Sequence, residues 1–96
     1  MEELFGKELG EAQIIAGGHE GRILLYENGL MYDCQNVNGK VYALYSAVMK
    51  LEAGRDLPLG KKEMRLVLMT PLGEKFDLHF GINEHYYHLL REKTGR

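Results

Sequence analysis

The chain is poor in several things that would announce a class of protein. It carries one cysteine, Cys34, among 96 residues. No internal disulfide can therefore staple the fold, and a reducing compartment fits. No stretch approaches the roughly 20 consecutive apolar residues that a membrane-crossing helix needs. The N-terminus, Met1-Glu2-Glu3-Leu4-Phe5-Gly6-Lys7-Glu8, is acidic and lacks the basic start and apolar run of a secretory signal. A cytoplasmic location is the expectation. With a net charge of −2 there is no basic excess to draw the protein onto nucleic acid. Internal repeats and low-complexity tracts are missing too, and nothing calls for a cofactor.

What is present is the composition of an ordinary globule, 45% hydrophobic and 27% charged. At this length one domain is expected, burying about 60–65% of the surface of the unfolded chain. Charge is spread unevenly. Residues 1–20 hold five glutamates against one lysine, and residues 55–65 hold Arg55, Lys61, Lys62 and Arg65 against Asp56 and Glu63. Solvated loops account for such a pattern.

Residues 1–10 form an acidic lead-in to a domain spanning 11–96. Leu4, Phe5 and Leu9 fit either a short docking helix or a frayed end, because Gly6 and Gly10 interrupt them. A first strand is predicted near Gln13–Ala16, a glycine-rich loop over Gly17–Gly21, and a second strand over Arg22–Tyr26. Asn28-Gly29 then lies between two strand-like runs, the pattern of a tight type I′ hairpin turn, in which both central residues take positive φ. In the return strand, Leu30–Cys34, alternation puts Leu30, Tyr32 and Cys34 on one face and Met31 and Asp33 on the other. Asn36, Asn38 and Gly39 mark another turn. Val41–Ala53 has two readings. Its Ala, Leu, Met, Lys and Glu content, with Gly54 as a closing residue, favours a helix; two short strands joined near Ser46 also fit. Gly54–Lys61 reads as the one flexible excursion. A ribbon follows, Met64–Met69 and Phe76–Phe80 around a turn at Thr70–Glu74. An amphipathic helix, Asn83 to Lys93, closes the chain. Its stripe is Ile82, Tyr86, Leu89, Leu90 and the Lys93 stem, with Asn83 as N-cap and Ile82 packing on Tyr87.

This order resembles a small bacterial or GRAM-related pleckstrin-homology-like domain. The likeness is carried by Gly21-Arg22-Ile23-Leu24-Leu25-Tyr26-Glu27-Asn28-Gly29-Leu30, similar to the family's second and third strands. Tyr45-Ser46-Ala47-Val48-Met49-Lys50-Leu51-Glu52 is similar to its fourth-to-fifth segment, and the ribbon and final helix complete a match over residues 11–94. The resemblance implies a mainly β (α+β) fold, a barrel or sandwich of about seven antiparallel strands capped by a C-terminal α-helix. It implies that Val41–Ala53 is strand, and that two nearly orthogonal sheets leave an end for the helix to plug.

Lipid-binding members of that family hold phosphates with lysines and arginines after the first strand. The matching stretch here is His19-Glu20-Gly21-Arg22, with Lys40 in the next loop of the same end. His19, Arg22 and Lys40 are the candidate binding residues, but only Arg22 is firmly cationic in its stretch and Glu20 opposes it. A multiply charged headgroup wants two or more charge-assisted contacts. His79, His85 and His88 suggest a metal or acid–base site. His88, however, falls opposite the apolar stripe and no cysteine or carboxylate cluster has ligand spacing beside them. Cys34 points into the core, where it behaves as a small hydrophobe rather than a nucleophile. Met31, Met49 and Met69 are expected on outer sheet faces. The function these features imply is that of a non-catalytic interaction module binding a protein partner or itself. A peripheral module on anionic lipid, using Arg22, Lys40, Lys61 and Lys62, is the alternative. A small metal-binding or enzymatic domain built on the C-terminal histidines is the third reading.

Overall fold

The computed structural model describes residues 2–37 and 39–96, so the turn residue Asn38 lies outside the described residues. A one-turn helix α1 (Glu2–Phe5) precedes β1 (Glu8–Ala16), β2 (His19–Tyr26), β3 (Gly29–Cys34) and β4 (Lys40–Leu44). A 3₁₀ turn, Tyr45–Ala47, leads to β5 (Val48–Leu57), and a second, Pro58–Gly60, leads to β6 (Lys61–Met69), β7 (Lys75–Asn83) and helix α2 (Glu84–Thr94). The fold is mainly β, with seven antiparallel strands in the order β4-β3-β2-β1-β7-β6-β5. They form one continuous sheet, not two separate ones. The join is narrow, since β1 and β7 pair only at Ile14↔Ile82 and Ile15↔Gly81. The outermost strands, β4 and β5, are consecutive in sequence and connected by three residues. Such a link can be made only if the sheet rolls until its edges approach each other, in the sense that strand twist favours.

Val41–Ala53 is therefore strand, turn and strand, and the helical reading of its composition is overturned. The segment pairs on both sides of its break, Tyr42 with Met31 and Leu51 with Leu66. Burial of Val41, Ala43 and Val48 against the core outweighs helix propensity, which is worth only tenths of a kcal/mol per residue. Gly54 does not end a helix but lies within β5, and the loop expected from Gly54 to Lys61 is mostly ladder, with Asp56↔Lys62 and Leu57↔Lys61 in register.

The hairpin signals are redistributed. The two-residue turn with both residues at positive φ is Gly17-Gly18, at 58° and 81°, with Ala16 facing His19. At Asn28-Gly29 neither residue has positive φ, and Gly29 is already in β3. The chain's own N-terminal segment diverts that turn. Asn28 N–H donates to the Phe5 carbonyl at 2.8 Å, Glu27 N–H to the Lys7 carbonyl at 3.0 Å, and Tyr45 N–H to the Asn28 carbonyl at 2.9 Å. Gly29 is needed for space: a Cβ there would stand 2.6 Å from the Ala43 carbonyl oxygen and 3.1 Å from the Phe5 ring.

The main core lies inside the roll, with Ile14, Ile23, Leu25, Leu30, Tyr32, Leu66, Leu68 and Ile82 essentially inaccessible. In the ribbon Met64, Leu66, Leu68, Leu78 and Phe80 are buried and Lys75, Asp77 and His79 exposed, as expected, but Val67 is buried too and breaks the alternation of β6. Cys34 is likewise buried. A second cluster sits on the opposite side of β2, β3 and β4, where Phe5 packs with Tyr26 and Met31. The Phe5 ring lies 5.8 Å from that of Tyr26 and 6.2 Å from that of Tyr42. Met31, expected on an outer surface, is consequently only 1% exposed, whereas Met49 and Met69 are exposed.

Helix α2 packs on β6, β7 and the 3₁₀ turn at Tyr45–Ala47, so it covers the seam where the rolled edges approach. Asn83 caps it, accepting the His85 N–H at 2.8 Å. Gly95, at φ 73°, closes it, with Arg96 N–H reaching back to the Arg91 carbonyl at 3.0 Å. The helix phase differs from expectation by a fraction of a turn. Tyr87 and Leu90 are buried, while Tyr86 and Leu89 are half-buried. Arg96 then donates from the end of the chain to the Val48 carbonyl at 2.8 Å, tying the helix to the first residue of β5.

Two outcomes are expected. Gly29→Ala should destabilise by about 1–3 kcal/mol through overpacking, and Gly29→Asn by more, in chemical denaturation. A turn requiring positive φ would instead tolerate asparagine, so a mild Asn variant would refute the crowding account. Leu90→Ala should cost about 2–5 kcal/mol, whereas His88→Ala on the exposed side should leave the melting midpoint nearly unchanged.

Candidate functional site

The candidate site is a groove of about 610 Å³ on the outer side of β1, β7, β6 and β5. It exists because β5 does not run straight. Irregularities in its pairing between Val48 and Lys50 and between Ala53 and Asp56 bend the strand, as bulges do. Its last residue, Leu57, is carried over β7, where a Cβ at Gly81 would stand 2.9 Å from Leu57 Cδ1. Ile15, 45% exposed, stands on the other side, beyond the short β1–β7 join. Gly54 and Gly81 form the open floor between these walls, while Ala53, Met64 and Phe80, in register with one another, turn their side chains to the inner face and give the lining only backbone.

Ion pairs run along the neighbouring face. Arg65 reaches both Asp77 oxygens, at 2.9 and 2.8 Å, and Glu52 at 3.1 Å. These carboxylates raise the pKa of its guanidinium above the ordinary value. Reciprocally, the hydrogen bonds from Arg65 hold the Asp77 carboxyl below 3.8. His79 Nε2 lies 3.2 Å from the same carboxylate. Arg55 meets Glu63 at 2.8 Å and Lys62 meets Asp56 at 2.6 Å. The Lys62 ammonium also stands over the Tyr87 ring, 5.9 Å from its centroid.

The residues singled out from sequence lie elsewhere. Arg22 is on the outer side of β2, held between Glu11 at 3.0 Å and Asp33 at 3.4 Å. Its pKa is raised, first by the hydrogen bond to Glu11. Lys40, exposed at the start of β4, is in register with Asp33, so Arg22 and Lys40 flank one carboxylate on the same face. His19 is three positions before Arg22, at the exposed start of β2, and has the opposite strand parity. The three residues thus do not form one cationic cluster. The depression beside Arg22 holds about 270 Å³ and is lined by Glu20 and Asp33 as well. The C-terminal histidines also point apart: His79 is with Asp77, His85 edge-on to Tyr86 with ring centroids 5.5 Å apart, and His88 3.4 Å from Glu84. Among the described residues no group of three or more His, Cys, Asp or Glu side chains stands close enough to hold a metal ion. Nor is any helix among them long and apolar enough to cross a membrane.

Two sequence signals pointed to the groove and were not read that way. Ile14-Ile15 breaks the alternation of β1, so one of the pair must face outward. Gly81, isolated between Phe80 and Ile82, marks a close approach in a strand.

No family model matches the chain, and no curated protein does. Among solved structures the chain is similar to the C-terminal domain of an unknown protein from Leishmania infantum, with a TM-score of 0.58 at 11% identity, over 94% of this chain and 85% of that one. At that identity the likeness shows the fold alone. The class defined by fold and site is thus a rolled seven-stranded antiparallel sheet closed by a C-terminal helix, with an outward-facing groove.

The lowered Asp77 pKa fixes the sign of a pH effect. Stability contributed by its pairing with Arg65 is fully present above the unfolded carboxylate pKa and is lost as pH falls through the folded one. Asp77→Asn should therefore lower the melting midpoint at neutral pH, and the difference should close as pH falls through the lowered carboxylate pKa. Added salt should narrow the neutral-pH gap. A gap that persists in acid would show that Asp77 acts through something other than its charge.

Proposed function

We propose that this domain is a non-catalytic interaction module of pleckstrin-homology-like type, working in the cytoplasm without a cofactor and binding a protein through its outer groove. The observation that carries this reading is the groove itself. Its walls, Ile15 and Leu57, are apolar, and charged pairs border it. An apolar centre with a polar rim is the anatomy of a protein-recognition surface. The strand number, the antiparallel order and the closing helix support the family resemblance. The anionic-lipid reading has weaker support, because Arg22 is flanked by Glu11 and Asp33 and Lys62 is paired with Asp56. Cations already satisfied by carboxylates have less to offer a phosphate.

The test is selection of peptides from a random display library on the wild-type domain immobilised at low density, followed by measurement on Ile15→Lys, which puts a charge on an exposed apolar wall of the groove. Selected peptides should share an apolar anchor and bind the variant at least about tenfold more weakly. Peptides that bind both forms alike, or no enrichment at all, would remove the groove from this reading. Salt-resistant co-sedimentation with phosphoinositide-doped vesicles would replace it with the lipid reading.

A further inference from the structure

We propose that the groove receives a second copy of this chain: two copies pair about a twofold axis, each seating Leu59 in the other's groove. This rests on the groove being a binding site, and it names the partner. Leu59 is the tip of the Pro58–Gly60 turn between β5 and β6 and is 92% exposed. Its φ is 63°, and among the described residues it is the one non-glycine residue with positive φ. For a residue with a Cβ that backbone is strained. With its side chain in solvent, the isolated fold recovers little of this by packing. Glycine or asparagine is what the conformation favours. A large apolar side chain held there at a cost is a knob presented outward.

The knob also stands beside the hole. Leu57 and Lys61, two residues before and after Leu59, both line the groove. When knob and hole are adjacent on one face, a twofold axis lets each copy fill the other and the contact closes on itself. Leu72, 87% exposed, lies in the turn at the other end of β6 and would generate open head-to-tail chains instead.

Charge points the same way. Around the groove, Arg55 is matched by Glu63, and Arg65 by Glu52 and Asp77. Lys61 brings the cations level with the carboxylates. A face of balanced charge can meet its own image without net repulsion; a basic or acidic face could not. That balance makes a second copy a better occupant than a strongly charged partner.

Sedimentation velocity over about 1 μM to 1 mM protein tests this, a range that spans weak self-association. Wild type should shift from monomer to dimer and stop there. Leu59→Gly relieves the strained backbone and so keeps the fold, and it should weaken the dimer at least about tenfold, as loss of an interface anchor does. Ile15→Lys should do the same by charging the wall of the groove, and Leu72→Ser should change nothing. A mixture of Leu59→Gly and Ile15→Lys should associate more than either alone, because one intact groove meets one intact knob. Monomeric wild type throughout, a dimer indifferent to Leu59→Gly and Ile15→Lys, or open-ended growth abolished by Leu72→Ser would each overturn the pairing. Peptides selected on the groove would survive any of these results, so loss of the self-pairing is distinguishable from loss of the groove as a binding site.

Discussion

The three-residue link Tyr45–Ala47 constrains everything else in the molecule. It joins strands at opposite edges of a seven-stranded sheet, and no flat or gently twisted sheet could satisfy it. The sheet must roll, and rolling creates an interior lined by the inward residues of every strand. It also creates a seam where β4 and β5 come near without pairing. Tyr45 reinforces the corner. Its hydroxyl donates to the Tyr26 carbonyl at 2.6 Å, and burial pushes its pKa up to about 12. The phenol therefore stays a hydrogen-bond donor across physiological pH.

Helix α2 is a consequence of that seam. Its buried residues, Tyr87 and Leu90, meet core that the approaching edges leave uncovered, and Arg96 ties its end to Val48. The N-terminal turn plays the matching part outside. Phe5 covers Met31 and Tyr26 on the outer face of β2 and β3, so β3 is buried on both sides. Between them these two coverings remove most of the apolar surface that a rolled sheet would otherwise expose. What they leave open is the outer face of β5 to β7 and β1, and there the groove lies. Its shape follows from the bends in β5, which also guard that edge strand: bulges and the charges of Lys50, Glu52, Arg55 and Asp56 discourage indiscriminate pairing along it. A recognition surface confined to a groove and one strained turn is compatible with an edge protected in this way.

Much of this was legible in residues. Alternation in Met64–Leu68 and Phe76–Phe80 gave the ribbon, Asn83 the helix start, and Cys34 its inward face, since these depend on spacing along a single element. Other features depend on partners distant in sequence. The helical composition of Val41–Ala53 was overruled by pairing with β3 and β6, and the Asn28-Gly29 turn by hydrogen bonds from Asn28 and Glu27 to the Phe5 and Lys7 carbonyls. His19, Arg22 and Lys40 were near one another on a resemblance, but strand parity separates His19, and carboxylates from neighbouring strands occupy Arg22.

The sequence by itself determined the strand and helix periodicities, the inward and outward faces of most strands and the cap of the final helix. Each is a local consequence of where apolar and turn-forming residues fall. Tertiary structure decided the rest: that the middle segment is strand, that Gly29 is needed for space rather than for φ, that Arg22 is held by two carboxylates, and that Ile15, Leu57 and Gly81 meet around a groove. Those outcomes depend on contacts between residues far apart in the chain, and hydrophobic periodicity along one element carries no information about which other element will lie against it.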